Sequence, residues 1–322
     1  MLPQAQIDAL RDWIRGGDGF TIIAHMSPDG DTLGSSLGLY RLLRGLGKKA
    51  EVACADGVPA LYAFLPAAGE VRLPKDAAGY PNVIAVDCAD LGRLGDARPL
   101  FDKGANTYNI DHHPTNGAYA RHNAVDAEAS AAGELIYRLA QSFGAPMDAA
   151  LAACLYTALM TDTGNFAYSN TTGETLRIAG ALLDAGADGY GLNLRIFRST
   201  SFGKLRLLGE AIRGIRLYEG GRIGLAGLTR GQIQACGARE EDTEGVIDSV
   251  RDIESVEIAI FLREAGADTW KVSLRSKWAA DVGALAAKLG GGGHARAAGY
   301  TAHGSLEAAW AEALARSKEA LP

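Results

Sequence analysis

In this chain of 322 residues, histidine and aspartate gather in four short segments. The first is His25-Met26-Ser27-Pro28-Asp29-Gly30-Asp31. Pro28 and Gly30 bend it, so that His25, Asp29 and Asp31 can aim at one point. The second is Asp87 with Asp90 three residues on, the third is Asp111-His112-His113, and the fourth is Asp162. Carboxylates mixed with imidazoles suit Mn²⁺ best among common ions, with Mg²⁺, Co²⁺ and Zn²⁺ as further candidates. There are too many anionic donors for one divalent ion. Two ions about 3.5–4 Å apart, sharing a carboxylate, would use them all, lower the pKa of a bridging water and hold phosphoryl oxygens. The expected reaction class is metal-assisted phosphoryl transfer to water. Taken singly, an aspartate after a strand is a cap or turn former, and Pro-Asp-Gly-Asp is a turn. The joint occurrence carries the reading.

A second constellation lies near the end of the chain. The run Gly290 to Gly293, followed by His294, Ala295 and Arg296, lets backbone N–H groups approach an anion. Gly291, Gly292 and Gly293 would form the cradle, and His294 and Arg296 would add side-chain donors. Arg275, in Ser273-Leu274-Arg275-Ser276-Lys277, is a phosphate clamp candidate because a guanidinium fork matches phosphate geometry.

These residues need elements to hold them. FTIIA at 20–24, AEVAC at 50–54, VIAV at 83–86 and TYNI at 107–110 read as strands, and the apolar runs just before Asp87 and Asp111 are typical of buried parallel strands. Helical periodicity covers 32–46, 130–143, 147–160 and 173–183. The alternation predicts an α/β fold, a mostly parallel sheet covered by helices. Three of the four ligand segments then sit at the carboxyl ends of strands, the rim where open α/β sheets build sites. After Gly186 the texture changes. Residues 192–214 predict one or two connector helices, and 215–218 with 222–228 predicts a hairpin turning at Glu219-Gly220-Gly221. A further hairpin, 256–262 with 269–274, should turn near Ala265-Gly266-Ala267. The expected organisation is a catalytic domain over 1–186, a helical linker over 187–203, and a smaller α+β domain over 204–322 that binds substrate across a cleft.

Composition narrows the classes. Hydrophobic residues make up 48% and charged residues 22%, enough for a full core without disulfides. The formal charge of -6 argues against a protein that coats long nucleic acid. Apolar stretches fall well short of the roughly 18 residues a bilayer span needs, and residues 1–17 read as an amphipathic helix rather than a signal peptide. Cys54, Cys88, Cys154 and Cys236 form no zinc-like spacing. A cytoplasmic protein is expected.

HMSPDGD, VIAVDCAD, DHHPTN and TDTGNF together resemble the four motifs of the DHH phosphoesterase superfamily, and RSK followed by GGGGHARAAG looks like its associated C-terminal domain. The resemblance spans about residues 15–315 and is nearest the bifunctional oligoribonuclease and pAp phosphatase group. It implies that His25, Asp29 and Asp87 hold one Mn²⁺. Asp31, Asp87, His112 and Asp162 would hold the other, with Asp87 bridging. His113 would face the scissile phosphate as hydrogen-bond donor or acid, and Asp111 would orient the neighbouring imidazoles. Arg275, His294 and the glycine run would grip the substrate's terminal phosphate or nucleotide. The implied substrates are very short oligoribonucleotides such as pApA, and pAp. A homodimer is a possible assembly. Ser255 stands where the group has glycine. The alternatives are a cyclic di-AMP phosphodiesterase, then a pyrophosphatase or exopolyphosphatase, then an inactive nucleotide-binding regulator.

Overall fold

A computed structural model describes residues 4–322. The chain forms two compact units that divide between Ser199 and Thr200. In the first, six strands make one all-parallel sheet: β1 (Phe20–Ala24), β2 (Ala50–Cys54), β3 (Val71–Arg72), β4 (Asn82–Val86), β5 (Asn106–Asp111) and β6 (His122–Val125). Their spatial order is β3-β2-β1-β4-β5-β6. β1 and β4 are buried along their whole length, as their unbroken apolar runs require. The chain winds in opposite directions from the β1/β4 pair, which makes that pair the switch point where such sheets open a crevice at their carboxyl ends.

The helices of this unit are α1 (Gln4–Gly16), α2 (Gly30–Gly45), α3 (Arg98–Lys103), α4 (Ala132–Phe143), α5 (Ala149–Asp162), α6 (Gly173–Asp184) and α7 (Gly189–Phe197). α5 is buried at Leu151, Ala152 and from Cys154 to Met160, in keeping with its almost wholly apolar sequence. α2 lies directly against it. Gly30, Gly34 and Gly38, spaced four apart on one face of α2, have no room for a side chain. A Cβ on Gly34 would lie 2.4 Å from the Cys154 carbonyl oxygen, and one on Gly30 would lie 2.3 Å from Thr161. This close crossing carries the start of α2, with Asp31, to the end of α5, with Asp162.

The second unit contains α8 (Phe202–Arg213), β7 (Arg216–Tyr218), β8 (Ile223–Leu228), α9 (Arg230–Ala235), α10 (Val246–Arg251), β9 (Ile258–Gly266), β10 (Thr269–Ser276), α11 (Val282–Lys288), β11 (Gly292–His294), β12 (Ala297–His303) and α12 (Leu306–Ala320). Its sheet runs β11-β12-β10-β9-β8-β7, antiparallel except where β8 pairs with β9. The first hairpin turns at Glu219–Gly221 as predicted. The second turns later than predicted, because β9 runs through Gly266 and the reversal falls at Ala267 and Asp268. Ser255 donates its hydroxyl to the Gly221 carbonyl at 3.0 Å, a bond glycine could not make. Among the described residues no helix is long and apolar enough to cross a membrane.

The α2–α5 crossing can be tested by adding one methyl group. Gly34→Ala pushes a Cβ against fixed backbone and should destabilise the protein by about 1–3 kcal/mol. Gly180→Ala, in α6 with open space around it, should instead stabilise by up to about 1 kcal/mol. Urea unfolding of both variants reads the difference; equal effects would mean the crossing is not tight.

Candidate metal centre

Each ligand candidate is placed by the end of a regular element. His25 follows β1, and Asp87 follows β4. Asp111 is the last residue of β5, so His112 and His113 emerge just beyond it; Asp162 is the last residue of α5. Asp29 caps α2, accepting from the Thr32 amide at 3.0 Å, and Asp31 lies in that helix's first turn. The structure brings these segments together. His112 Nε2 lies 3.4 Å from Asp87 Oδ1, 3.5 Å from Asp31 Oδ2 and 3.6 Å from Asp162 Oδ2. His25 Nε2 lies 3.6 Å from the other Asp87 oxygen.

Three groupings have donor atoms close enough to share an ion: His25 with Asp29 and Asp87, Asp31 with His112 and Asp162, and Asp87 with His112 and His113. Asp87 and His112 each belong to two of them. Asp90 belongs to none; its carboxylate caps the turn at Leu91–Ala97 by accepting from the Gly92 and Arg93 amides.

Asp87 is the odd residue in the cluster. Its backbone sits in the left-handed region at φ +55, which a side chain other than glycine adopts at a cost of about 1–2 kcal/mol. It is 2% exposed, and its Oδ1 is buried without a hydrogen-bond partner among the described residues. A buried carboxylate oxygen left unpaired is expensive, and a cation is the partner that suits its charge and lone pairs.

The charges agree. Burial, reinforced by Asp87, pushes the Asp31 carboxyl well above the usual range, and burial raises Asp162 to about 6 against the opposing pull of His112. Burial alone would raise Asp87 too, but the imidazoles of His112 and His25 beside it and the hydrogen bond from Thr32 outweigh it and hold the group down. His112 is raised to about 10: burial disfavours its charge, and the surrounding carboxylates override that. Crowded carboxylates drawing protons onto themselves and onto an imidazole form a donor set that fits divalent cations.

Neighbouring groups fix the orientations. Asp31 accepts from Ser35 Oγ at 2.7 Å and from the Ala132 and Gly133 amides at 2.7 and 3.1 Å. Ala131, at the N-cap of α4, has no side chain that can cap, so Asp31 caps that helix from α2. Asp111, fully buried, meets His113 Nδ1 at 2.8 Å and raises its pKa. His112 is oriented differently, with its Nδ1 3.2 Å from the Ala129 carbonyl. Asp111 therefore steers one imidazole of the pair, not both.

Sequence reasoning missed three contributors. The Thr32 hydroxyl donates to Asp87 at 2.7 Å and lies 2.5 Å from His25 Nε2. Arg93 places Nη2 2.9 Å from the same ring nitrogen. Asn116 donates to Asp111 at 2.5 Å and to Asn109 at 2.7 Å. Thr32 adjoins Asp31 and was findable as a hydroxyl inside a ligand motif. Asn116 closes the DHHPTN segment and was findable there as an amide beside the ligand histidines, whereas Arg93 carries no local signal. None of Cys54, Cys88 and Cys154 offers a thiolate: burial pushes Cys54 up, Cys88 to about 11 and Cys154 to about 12.

In the second unit, Arg275 on β10 stands opposite Ala297 on β12, which stands opposite His294 on β11. Directly paired residues share a sheet face, so Arg275 and His294 lie on one face a strand apart. The second half of the glycine run, Gly292 and Gly293, belongs to the edge strand β11 rather than to an open loop. Cβ atoms on Gly291 and Gly293 would lie 2.2 Å from the Gly299 carbonyl and 2.5 Å from that of Ala297. Strand packing thus demands these two glycines; Gly292 has open space beside it. Arg296 also has a structural use, donating to the Ala280 carbonyl at 2.9 Å from the β11–β12 turn.

If the cluster binds divalent cations, calorimetric titration with Mn²⁺ should show affinity rising as pH goes from about 5 to about 8, because protons compete for the carboxylates, Asp162 among them. Asp87→Asn should weaken binding by more than about tenfold. Affinity untouched by either change would place the ions elsewhere.

Comparison with known proteins bears on this geometry. The N-terminal domain of the DHH family matches residues 19–159, and the DHHA1 domain matches residues 220–321. A bifunctional oligoribonuclease and PAP phosphatase NrnA from Thermus thermophilus is 36% identical over 93% of this chain and 89% of its own length. The protein of that name from Bacillus subtilis is 28% identical over 90% and 91%. The crystal structure of an exopolyphosphatase-related protein from Bacteroides fragilis superposes with a TM-score of 0.89 at 29% identity, covering 99% of this chain and 96% of that one. With both domains matched in order and such a cluster in the first, this chain belongs to the DHH family, in the group of the bifunctional oligoribonuclease and PAP phosphatase NrnA proteins, and is a phosphoester-cleaving hydrolase.

Proposed function

We propose that this chain is a Mn²⁺-dependent phosphodiesterase that degrades very short oligoribonucleotides, such as pApA, to mononucleotides and also removes a phosphate from pAp. The buried, unpartnered oxygen of Asp87 at the centre of the ligand groupings is the observation that carries the metal part of this reading. The substrates rest on relatives named for those two activities.

In this reading His25, Asp29 and Asp87 hold one ion, and Asp31, Asp87, His112 and Asp162 hold the other. Bound there, a pair of divalent ions supplies an activated water and charge neutralisation for the phosphate. The chain's own groups do the rest. Asp111 fixes His113 with Nδ1 as donor, which leaves Nε2 as the nitrogen that can pass a proton to the departing oxygen. Asn116 holds Asp111 in turn. Arg275 and His294, on one sheet face, supply cationic and hydrogen-bonding partners for a terminal phosphate, with Gly291, Gly292, Gly293 and Arg296 shaping the strand and turn beside them. A grip on the terminus would favour short substrates, in keeping with the chain's net negative charge.

The test is a competition in one vessel. Metal-stripped protein restored with Mn²⁺ is given equimolar pApA, pAp, cyclic di-AMP and pyrophosphate. AMP should appear first from pApA, with pAp consumed more slowly. Faster loss of cyclic di-AMP would replace this substrate assignment, and turnover of pyrophosphate alone would overturn it. His113→Ala should lower kcat by about 10²–10⁴-fold, the usual contribution of a positioned proton donor. His294→Ala should raise KM for pApA more than for the analogue lacking the terminal phosphate. Equal effects on both would remove His294 from the grip.

A further inference from the structure

The first unit contains a cavity that the metal donors do not explain. It has a volume of about 250 Å³ and is bordered by Asp29, Thr161 and Asp162 from the cluster side. The rest of its lining is apolar or aromatic. Leu61 and Tyr62 come from a 3-10 turn (Ala60–Tyr62), and Ile196 and Phe197 from the end of α7. Arg195 stacks its guanidinium 5.1 Å from the ring centre of Phe64, which ties α7 to the segment that follows the turn. Leu61 and Phe197 nevertheless remain 44% and 42% exposed, large apolar side chains standing open beside two candidate metal ligands.

The chemistry of the lining selects its occupant. Among the described lining residues there is no lysine or arginine, and two are carboxylates, so the cavity repels a second phosphate. Thr161 donates its hydroxyl proton within its own helix, to the Thr157 carbonyl at 2.9 Å, and so has no donor left for a base edge. What the lining favours is a flat, uncharged, largely apolar group attached to whatever sits at the metal centre. Resting on the phosphodiesterase reading above, we infer that this cavity receives a nucleobase adjoining the scissile phosphate, stacked against Phe197 and Tyr62. Recognition by stacking is tolerant of base identity, because every base has a π-face. The cavity therefore secures a nucleotide without demanding a sequence.

The experiment uses the full-length chain loaded with Mn²⁺ and three substrates: pApA and its two abasic analogues, each lacking a different adenine. For the wild type, kcat/KM should fall by about tenfold or more on removing one adenine, the scale of one base–aromatic stack. Phe197→Ala should erase that preference, bringing pApA and the affected analogue to within about twofold, while Phe197→Tyr keeps it. Leu61→Ala, on another element of the lining, should reduce the preference in the same direction. Three results would overturn the inference: a wild type indifferent to both adenines, a preference unchanged in Phe197→Ala, or a parallel loss on all three substrates. A wild type inert toward pApA would instead remove the phosphodiesterase reading, and this inference with it.

Discussion

The first unit is organised around a buried carboxylate, one oxygen of which meets no hydrogen-bond partner among the described residues. Asp87 sits at the sheet's switch point, in a left-handed backbone conformation, with one carboxylate oxygen unpaired. Left alone, such a group would be a defect of several kcal/mol. The surrounding structure tolerates it by making it rigid rather than comfortable: β1 and β4 are fully buried on either side, Thr32 donates to the other carboxylate oxygen, and the imidazoles of His25 and His112 stand 3.6 and 3.4 Å away. A site that must bind cations tightly needs this arrangement. Carboxylates free to relax apart would lose the field that attracts the ion.

Rigidity also explains why so many ligands have a second task. Asp29 caps its own helix, and Asp31 caps α4 from a neighbouring one. Asp162 ends α5, whose position is set by the glycine face of α2. Because each donor is part of the scaffold, the cluster cannot drift without disturbing a helix end. The same fact makes the bland reading of such aspartates, as caps, true and incomplete.

This duality governs how much of the molecule was legible in its sequence. The ligand loops could be read because each lies next to a strand or helix end that announces itself by apolar runs, as VIAV does before Asp87. The family motifs likewise preserve order along the chain. Less could be read where pairing creates the element. β3 and β6 are short strands completed by their neighbours, and β12 is built from small residues that carry little strand signal. The parallel pairing of β8 with β9 joins two hairpins that the sequence presents as separate. Arg93 reaches His25 only through tertiary folding. The neighbours His112 and His113 look equivalent in sequence and acquire different partners, Ala129 and Asp111, in space.

The two units divide a contradiction. Holding divalent cations requires dense negative charge, whereas holding the end of an anionic substrate requires positive charge; one small surface cannot present both without self-neutralising ion pairs. In the first unit Asp29, Asp31, Asp87 and Asp162 are concentrated with imidazoles as the chief counterweight. In the second, Arg275 and His294 share a sheet face, and the glycines beside them keep the edge strand close. Each half can then be optimised electrostatically on its own.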